Sequence, residues 1–317
     1  MHYLKTRSAV LIGSLLLATA AQAGKLAIVI DDVGYRPHEE NAVLQMPLPI
    51  SVAVLPNAPH AHLMATRAHA QGREVLIHMP MEPLSKQPLE RDTLRPSMSS
   101  AEVQRIIRNA VSNVPYAVGM NNHMGSAMTS SLPAMQKVMQ ALESYNLYFL
   151  DSMTIGNSQA TRAAAGTGVK VIKRRVFLDD TASESDIRHQ FNRAIELARR
   201  NGSTIAIGHP RPATVKVLKQ MLATLPGDIE LVRPSSLLNA PQGGGYLPPS
   251  KPPRPTQPKN PFKNGIKQCK VKAPKTQEKV HAGTALAVIG ESIAQSPVVT
   301  FIKQHWPSWP RTSEKQS

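Results

Sequence analysis

The chain has 317 residues, of which 41% are hydrophobic, 4% aromatic and one cysteine, and it carries a formal net charge of +16. A single cysteine excludes an internal disulfide, so the fold rests on its core, and so few aromatics exclude a long row of sugar-stacking platforms. Residues 241–317 hold 12 Lys/Arg against 3 Asp/Glu, so the basic balance belongs mostly to that end; no zinc-finger spacing, phosphate loop or RNA-binding aromatic signature accompanies it, and no nucleic-acid partner is expected.

Residues 1–23 read as an export address. Lys5 and Arg7 form a basic start, Ala9 to Leu17 an apolar run, and Ala21-Gln22-Ala23 a small-x-small cleavage site, the pattern of a secretory signal peptide. The apolar run is short for a membrane span, and no later run is longer, so no transmembrane helix is expected after cleavage. The expected location is the periplasm of a bacterial envelope.

From Gly24 to Ala240 apolar runs alternate with helical patterns. LAIVI precedes a helix-like stretch over 37–45. ISVAVL precedes AHLMATRAHAQG, stopped by Gly72. EVLIHM leads through a loop to SSAEVQRIIRNAVSNV, where Ser100 is the expected N-cap and Val103, Ile106, Ile107 and Val111 form one face. AVGMNNHM, LYFLD, VKVI, VFLD, STIAIGHP and IELV follow, with helices expected over 132–146, 184–200 and 213–225. This alternation predicts an α/β fold with a mainly parallel sheet, about seven or eight strands curled into an irregular barrel. Residues 241–283 are Pro/Lys-rich and read as a disordered linker, and 284–317 as a tail with one short helix. The basic tail is expected either to meet anionic lipid or acidic glycan or to be a solvated linker.

In parallel α/β folds chemistry gathers at the C-terminal ends of the strands. Asp31 and Asp32 end the first run, His78 the third, His123 the fourth and Asp151 the fifth; Lys173, Arg174 and Arg175 follow the sixth, and His209 ends a later one. Plainer roles remain open for each: Asp31 and Asp32 as a turn or cap before Val33-Gly34, Asp151 as a cap, Arg174 and Arg175 paired on the surface with Asp179 and Asp180. Together they suggest a site. One carboxylate and two neutral imidazoles bind Zn²⁺ or another first-row dication. A second carboxylate can act as base and a further histidine as acid, an apparatus for metal-assisted hydrolysis of an amide or ester.

IDDVG resembles the (T/S)-F-D-D-G signature of carbohydrate esterase family 4. The ordered set IVIDDVG, ISVAVLPNAP, EVLIHMPMEP, VGMNNHMGS, LYFLDSMT and IAIGHPRP resembles the divergent polysaccharide deacetylases. The resemblance implies a deformed (β/α)7-type barrel and removal of acetyl groups from an N-acetylated glycan, such as peptidoglycan or another envelope polysaccharide. It implies a divalent metal, Zn²⁺ first and Mn²⁺, Co²⁺, Ni²⁺ or Fe²⁺ as alternatives. By position, Asp31 would be the base, Asp32 a metal ligand and His209 the acid. The family's H-(S/T)-x-x-H segment here reads His78-Met79-Pro80-Met81-Glu82, with no second histidine. His123 is the expected substitute ligand, Glu82 an outside candidate, and Arg174 or Arg175 a replacement for the family's sugar-facing arginine. These departures leave an alternative: an inactive deacetylase-fold module that binds envelope glycan or protein.

Overall fold

The structure is a computed structural model that describes residues 23–239. The chain divides into units of 1–250 and 251–317. The expected signal segment (all but its last residue), the linker, the tail helix and Cys269 lie outside the described residues.

The elements follow in chain order: β1 (Gly24–Val33), α1 (Pro37–Val43), β2 (Ser51–Val54), α2 (Ala61–Ala70), β3 (Val75–Met81), α3 (Ser100–Asn113), β4 (Ala117–Met124), α4 (Ser126–Ser130), α5 (Leu132–Glu143) and β5 (Tyr148–Asp151). Then come α6 (Ala160–Ala163), β6 (Val171–Lys173), β7 (Val176–Phe177), α7 (Glu184–Asn201), β8 (Ser203–Gly208), α8 (Pro212–Ala223), β9 (Ile229–Val232) and a 3₁₀ turn over Pro234–Leu237. The strands form one sheet in the order β6-β5-β4-β3-β2-β1-β8-β7, with β9 also on β1, and every pairing is parallel. The order runs once round a curled, incompletely closed barrel, whose ends β6 and β7 are separated in the chain only by Arg174 and Arg175. The sheet has nine strands rather than seven or eight. VIK and VF make two short strands with no helix between them, and IELV doubles onto the start of β1.

β1 is the centre of the sheet. Lys25–Ile30 pair with β8, Gly24–Ala27 with β9, and Val29–Val33 with β2. A strand partnered this way and covered on both faces needs the unbroken apolar run LAIVI. Alternation then sorts its side chains. Leu26, Ile28 and Ile30 join the core shared with the helices, which includes Phe191 and Ile195 of α7. Ala27 and Val29 join the barrel interior with Leu76, Leu150, Ile172 and Ile207. Each fully buried Leu or Ile contributes about 1.5–3 kcal/mol.

α3 starts one residue earlier than expected in its capping. Ser99, not Ser100, is the N-cap, in extended backbone with its Oγ accepting from Glu102 N–H. Helices α4 and α6 escape a periodicity reading because they are too short to show one. The parallel sheet aims the ends of β1, β3, β4 and β8 at one mouth, which positions the site.

Candidate functional site

Strand alternation predicts that Asp31 faces the barrel interior with Ala27 and Val29, and that Asp32 faces away. The backbone breaks that rule. Asp32 is left-handed, with φ 56°, and the pairing of β1 with β2 shifts register between Ile30 and Val33. Asp is among the few residues that visit this conformation, at a cost of roughly 1–2 kcal/mol. The two adjacent carboxylates thereby reach opposite edges of one imidazole: Asp32 Oδ1 lies 3.1 Å from His78 Nε2, and Asp31 Oδ2 lies 3.6 Å from His78 Nδ1.

The third group comes from β4. In the β3–β4 register His78 is opposite Asn121, and His123 lies two residues further toward the mouth, opposite Pro80. His123 Nδ1 is 3.0 Å from Asp32 Oδ1 and 3.2 Å from His78 Nε2. Asp32 Oδ1, His78 Nε2 and His123 Nδ1 therefore form a nearly equilateral triangle. Metal–ligand bonds of about 2.0–2.1 Å in tetrahedral geometry place ligand atoms about 3.3–3.4 Å apart, so the triangle is the right size, slightly contracted, for a first-row dication. The donor chemistry agrees: a carboxylate oxygen and two imidazole nitrogens are ligands for such an ion, and without one the same atoms hydrogen-bond to each other. Among the described residues this trio is the group of His, Cys, Asp and Glu able to hold a metal ion.

The surroundings orient the ligands. Asn121, fully buried, accepts from His78 Nδ1–H through Oδ1 at 2.8 Å and donates from Nδ2 to Asp31 Oδ1 and Oδ2 at 2.8 and 3.0 Å. At the end of β8 stands His209. Its Nδ1 lies 2.8 Å from Asp179 Oδ1, and its backbone N–H donates to Asp179 Oδ2, which also accepts from the Thr214 hydroxyl. The other ring nitrogen, Nε2, faces Asp32 Oδ2 at 3.8 Å.

Ionisation follows from these contacts. Burial would raise the Asp32 carboxyl, but hydrogen bonds from His123 and His78 and the nearby imidazole charge hold it far below the usual carboxylate range. Burial would lower His78; Asp31 and Asp32 outweigh it and push the imidazole up to about 9 in the metal-free site. Asp31 is raised, with desolvation dominant over the favourable charges of His78 and His209. His209 is raised because Asp179, then Asp32 and Asp31, outweigh its burial. Asp179 is lowered despite burial by the hydrogen bond and charge of His209.

A cleft of about 260 Å³ opens here, floored by Asp32, His123 and His209 and rimmed by Tyr35, Glu90 and Arg211. Of the residues expected in the site, Asp32, His78, His123 and His209 converge. Asp31 is adjacent but only 2% exposed, and it does not line the cleft. Glu82 is not a ligand: its carboxylate lies 3.6 Å from Arg95 while its backbone carbonyl accepts from Ala127 and Met128. Asp151 faces away from the mouth, as alternation with Leu150 requires, and caps its own turn by accepting from Met153 N–H. Arg174 is spent on the carbonyls of Ser152 and Met153 and on the face of Phe177, and Arg175 donates its backbone N–H to Ile205. Asp179 is not a surface group; it is fully buried and hydrogen-bonded to His209. Asn121 and Asp179 are the functional positions that sequence reasoning missed. Signals for both exist: Asn121 lies two residues before His123, on the same strand face, and VFLDD repeats the apolar-run-then-two-aspartates pattern of IVIDD.

Fold and site together define an α/β protein of deacetylase type, with an Asp-His-His triangle at the mouth of a parallel barrel. Residues 28–238 match the family model for divergent polysaccharide deacetylases, and the chain belongs to that family. It is 65% identical over 300 residues to the uncharacterized protein YibQ of Escherichia coli (strain K12), spanning 95% of this chain and 93% of that one. It is 50% identical over 208 residues to an uncharacterized protein of Haemophilus influenzae (strain ATCC 51907 / DSM 11121 / KW20 / Rd), spanning 66% of this chain and 74% of that one. The crystal structure of an uncharacterized protein from Agrobacterium tumefaciens C58 superposes with a TM-score of 0.65 at 20% identity, over 69% of this chain and 91% of that one, a likeness of fold. The family and the α/β barrel expected from the motifs are thereby borne out.

Proposed function

We propose that the protein is a metal-dependent hydrolase that removes acetyl groups from an N-acetylated glycan of the bacterial envelope, cleaving the amide C–N bond to release acetate and a free amine. The observation that carries this reading is the triangle of Asp32 Oδ1, His78 Nε2 and His123 Nδ1 opening on the same cleft as the His209–Asp179 pair. A dication there, Zn²⁺ first and Mn²⁺, Co²⁺, Ni²⁺ or Fe²⁺ as alternatives, supplies Lewis acidity and an acidified water. His209 is the proton donor to the departing amine: its Nε2 faces the cleft, and Asp179 both orients the ring and favours its protonated form. Asp31 takes the role of base from the family resemblance. Its raised pKa supports that role. The cleft, near the lower bound of about 300–1,000 Å³ for small-molecule sites, suits one sugar ring rather than a long chain. A leader-like start supports a periplasmic location.

A second reading, a binding module without turnover, is favoured by the absence of Asp31 from the cleft lining. The deciding experiment measures bound metal and acetate release from N-acetylated glycans for the parent, the Asp32→Ala/His123→Ala variant and Asp31→Asn. The enzyme reading expects about one equivalent of metal and turnover in the parent, neither in the double variant, and metal without turnover in Asp31→Asn. Metal binding without acetate release from any N-acetylated glycan would favour the binding module.

A further inference from the structure

Resting on that reading, we infer that Asn121 is the positioning residue that joins the two halves of the site, fixing which nitrogen of His78 faces the metal and at the same time holding Asp31 in place. Asn121 is 0% exposed, so its amide has only protein groups to answer. On one side it meets the Asp31 carboxylate at 2.8 and 3.0 Å, on the other His78 Nδ1 at 2.8 Å. Asn121 Nδ2 lies within hydrogen-bond distance of both Asp31 oxygens, so the NH₂ faces the carboxylate. The amide oxygen must then face His78, and Nδ1 must carry the proton. A neutral His78 so held has its lone pair on Nε2, the atom 3.1 Å from Asp32 Oδ1 and 3.2 Å from His123 Nδ1. Nε2 is thus the nitrogen left to face Asp32 and His123.

No other side chain serves both neighbours. Aspartate at position 121 would set a second carboxylate against Asp31. Leucine fills similar space but satisfies neither partner. Ser152, whose Oγ accepts weakly from the same NH₂ at 3.3 Å, has no contact with the imidazole that could substitute. The two histidine ligands come from neighbouring strands rather than one segment, and Asn121, directly opposite His78 in the β3–β4 register, stands on the strand that supplies the second ligand.

The test uses the full chain with ¹⁵N-labelled histidine. In the zinc-loaded parent, His78 should show a protonated Nδ1 that exchanges slowly with water and a metal-bound Nε2. Asn121→Leu should remain folded by circular dichroism, show a fast-exchanging Nδ1 proton, and bind Zn²⁺ about 10–100-fold more weakly in competition with a chromophoric chelator. A folded Asn121→Leu with parental zinc affinity overturns the inference, as does a parent in which Nε2 carries the proton or Nδ1 the metal. If Asn121→Leu does not fold, the parent spectrum alone decides. If the parent takes up no metal, the proposed reaction fails instead, and a slowly exchanging His78 Nδ1 proton in the parent that exchanges fast in Asn121→Leu still decides the role of Asn121.

Discussion

The two ends of the barrel both bury ionisable groups, yet only one of them is a candidate for chemistry. At the floor, Glu74 accepts from the Tyr148 hydroxyl at 2.5 Å and from both the backbone and the hydroxyl of Ser235, and Tyr148 is pushed well above its ordinary pKa by burial and by Glu74. Every partner there faces another, and the 3₁₀ turn closes over the set. Nearby, Arg73 is sealed among the carbonyls of Leu44, Met46, Pro47 and Ile50. At the mouth, by contrast, Asp32 Oδ1, His78 Nε2 and His123 Nδ1 lie within 3.2 Å of one another, and Asp32 and His123 line an open cleft. A perturbed pKa marks both ends, so it does not distinguish them; a metal-sized set of carboxylate and imidazole atoms beside a cleft does.

The largest test of that contrast removes the convergence. Asp32→Ala/His123→Ala should lose stoichiometric metal, measured by elemental analysis of protein prepared without chelator, while thermal unfolding stays cooperative. Retained stoichiometric metal would place the ion elsewhere. Next comes the proton donor: His209→Gln should keep its metal and lose about 10²–10⁴-fold in kcat. Asp179→Asn should keep turnover but move its alkaline limb to lower pH. Asp179 raises the pKa of His209, activity needs the protonated ring, and removing that charge lets the proton leave earlier as pH rises. A smaller effect concerns uptake. His78 holds a proton up to a pH of about 9 in the metal-free site, so apparent metal affinity should fall by about tenfold for each pH unit below it, measured by competition; a flat profile would show that no such proton is displaced. At the floor, Tyr148→Phe should cost about 1–3 kcal/mol in denaturant unfolding and leave metal affinity unchanged. Smallest of all, Glu82→Gln and Asp151→Asn should leave metal binding at parental values; a marked loss in either would return that residue to the site.

Much of the fold was legible because β1 to β9 are short apolar runs with punctuated ends, and parallel burial writes itself as such runs. The number of strands was not: VKVI, VFLD and IELV stand out as separate runs, but nothing in them shows that each pairs as a strand of its own, with IELV doubling onto β1. In the site, Asp32, His78, His123 and His209 were legible as polar residues at strand ends. Asp31 and Asp32 were legible as a pair but not as a geometry, because alternation sends neighbours apart and only the positive φ of Asp32 returns them to one ring. Asp151 sits at a strand end like the others yet points to the opposite face, so its position could be read and its direction misjudged. Asn121 and Asp179 act through other residues; their traces, the two-residue offset of Asn121 from His123 and the paired aspartates of VFLDD, gain meaning only once β3 has paired with β4 and β7 with β8.

The scattering of the ligands has a consequence in time. His78 and His123 are 45 residues apart, and Asp32 is 91 from His123. A histidine pair on one short segment can capture a metal while the chain is still unfolded. Here the three ligand atoms meet only after β1, β3 and β4 have paired, so loading waits for folding. A metal at this site would therefore come from whichever compartment holds the chain once it has folded, and its identity would record what that compartment supplies.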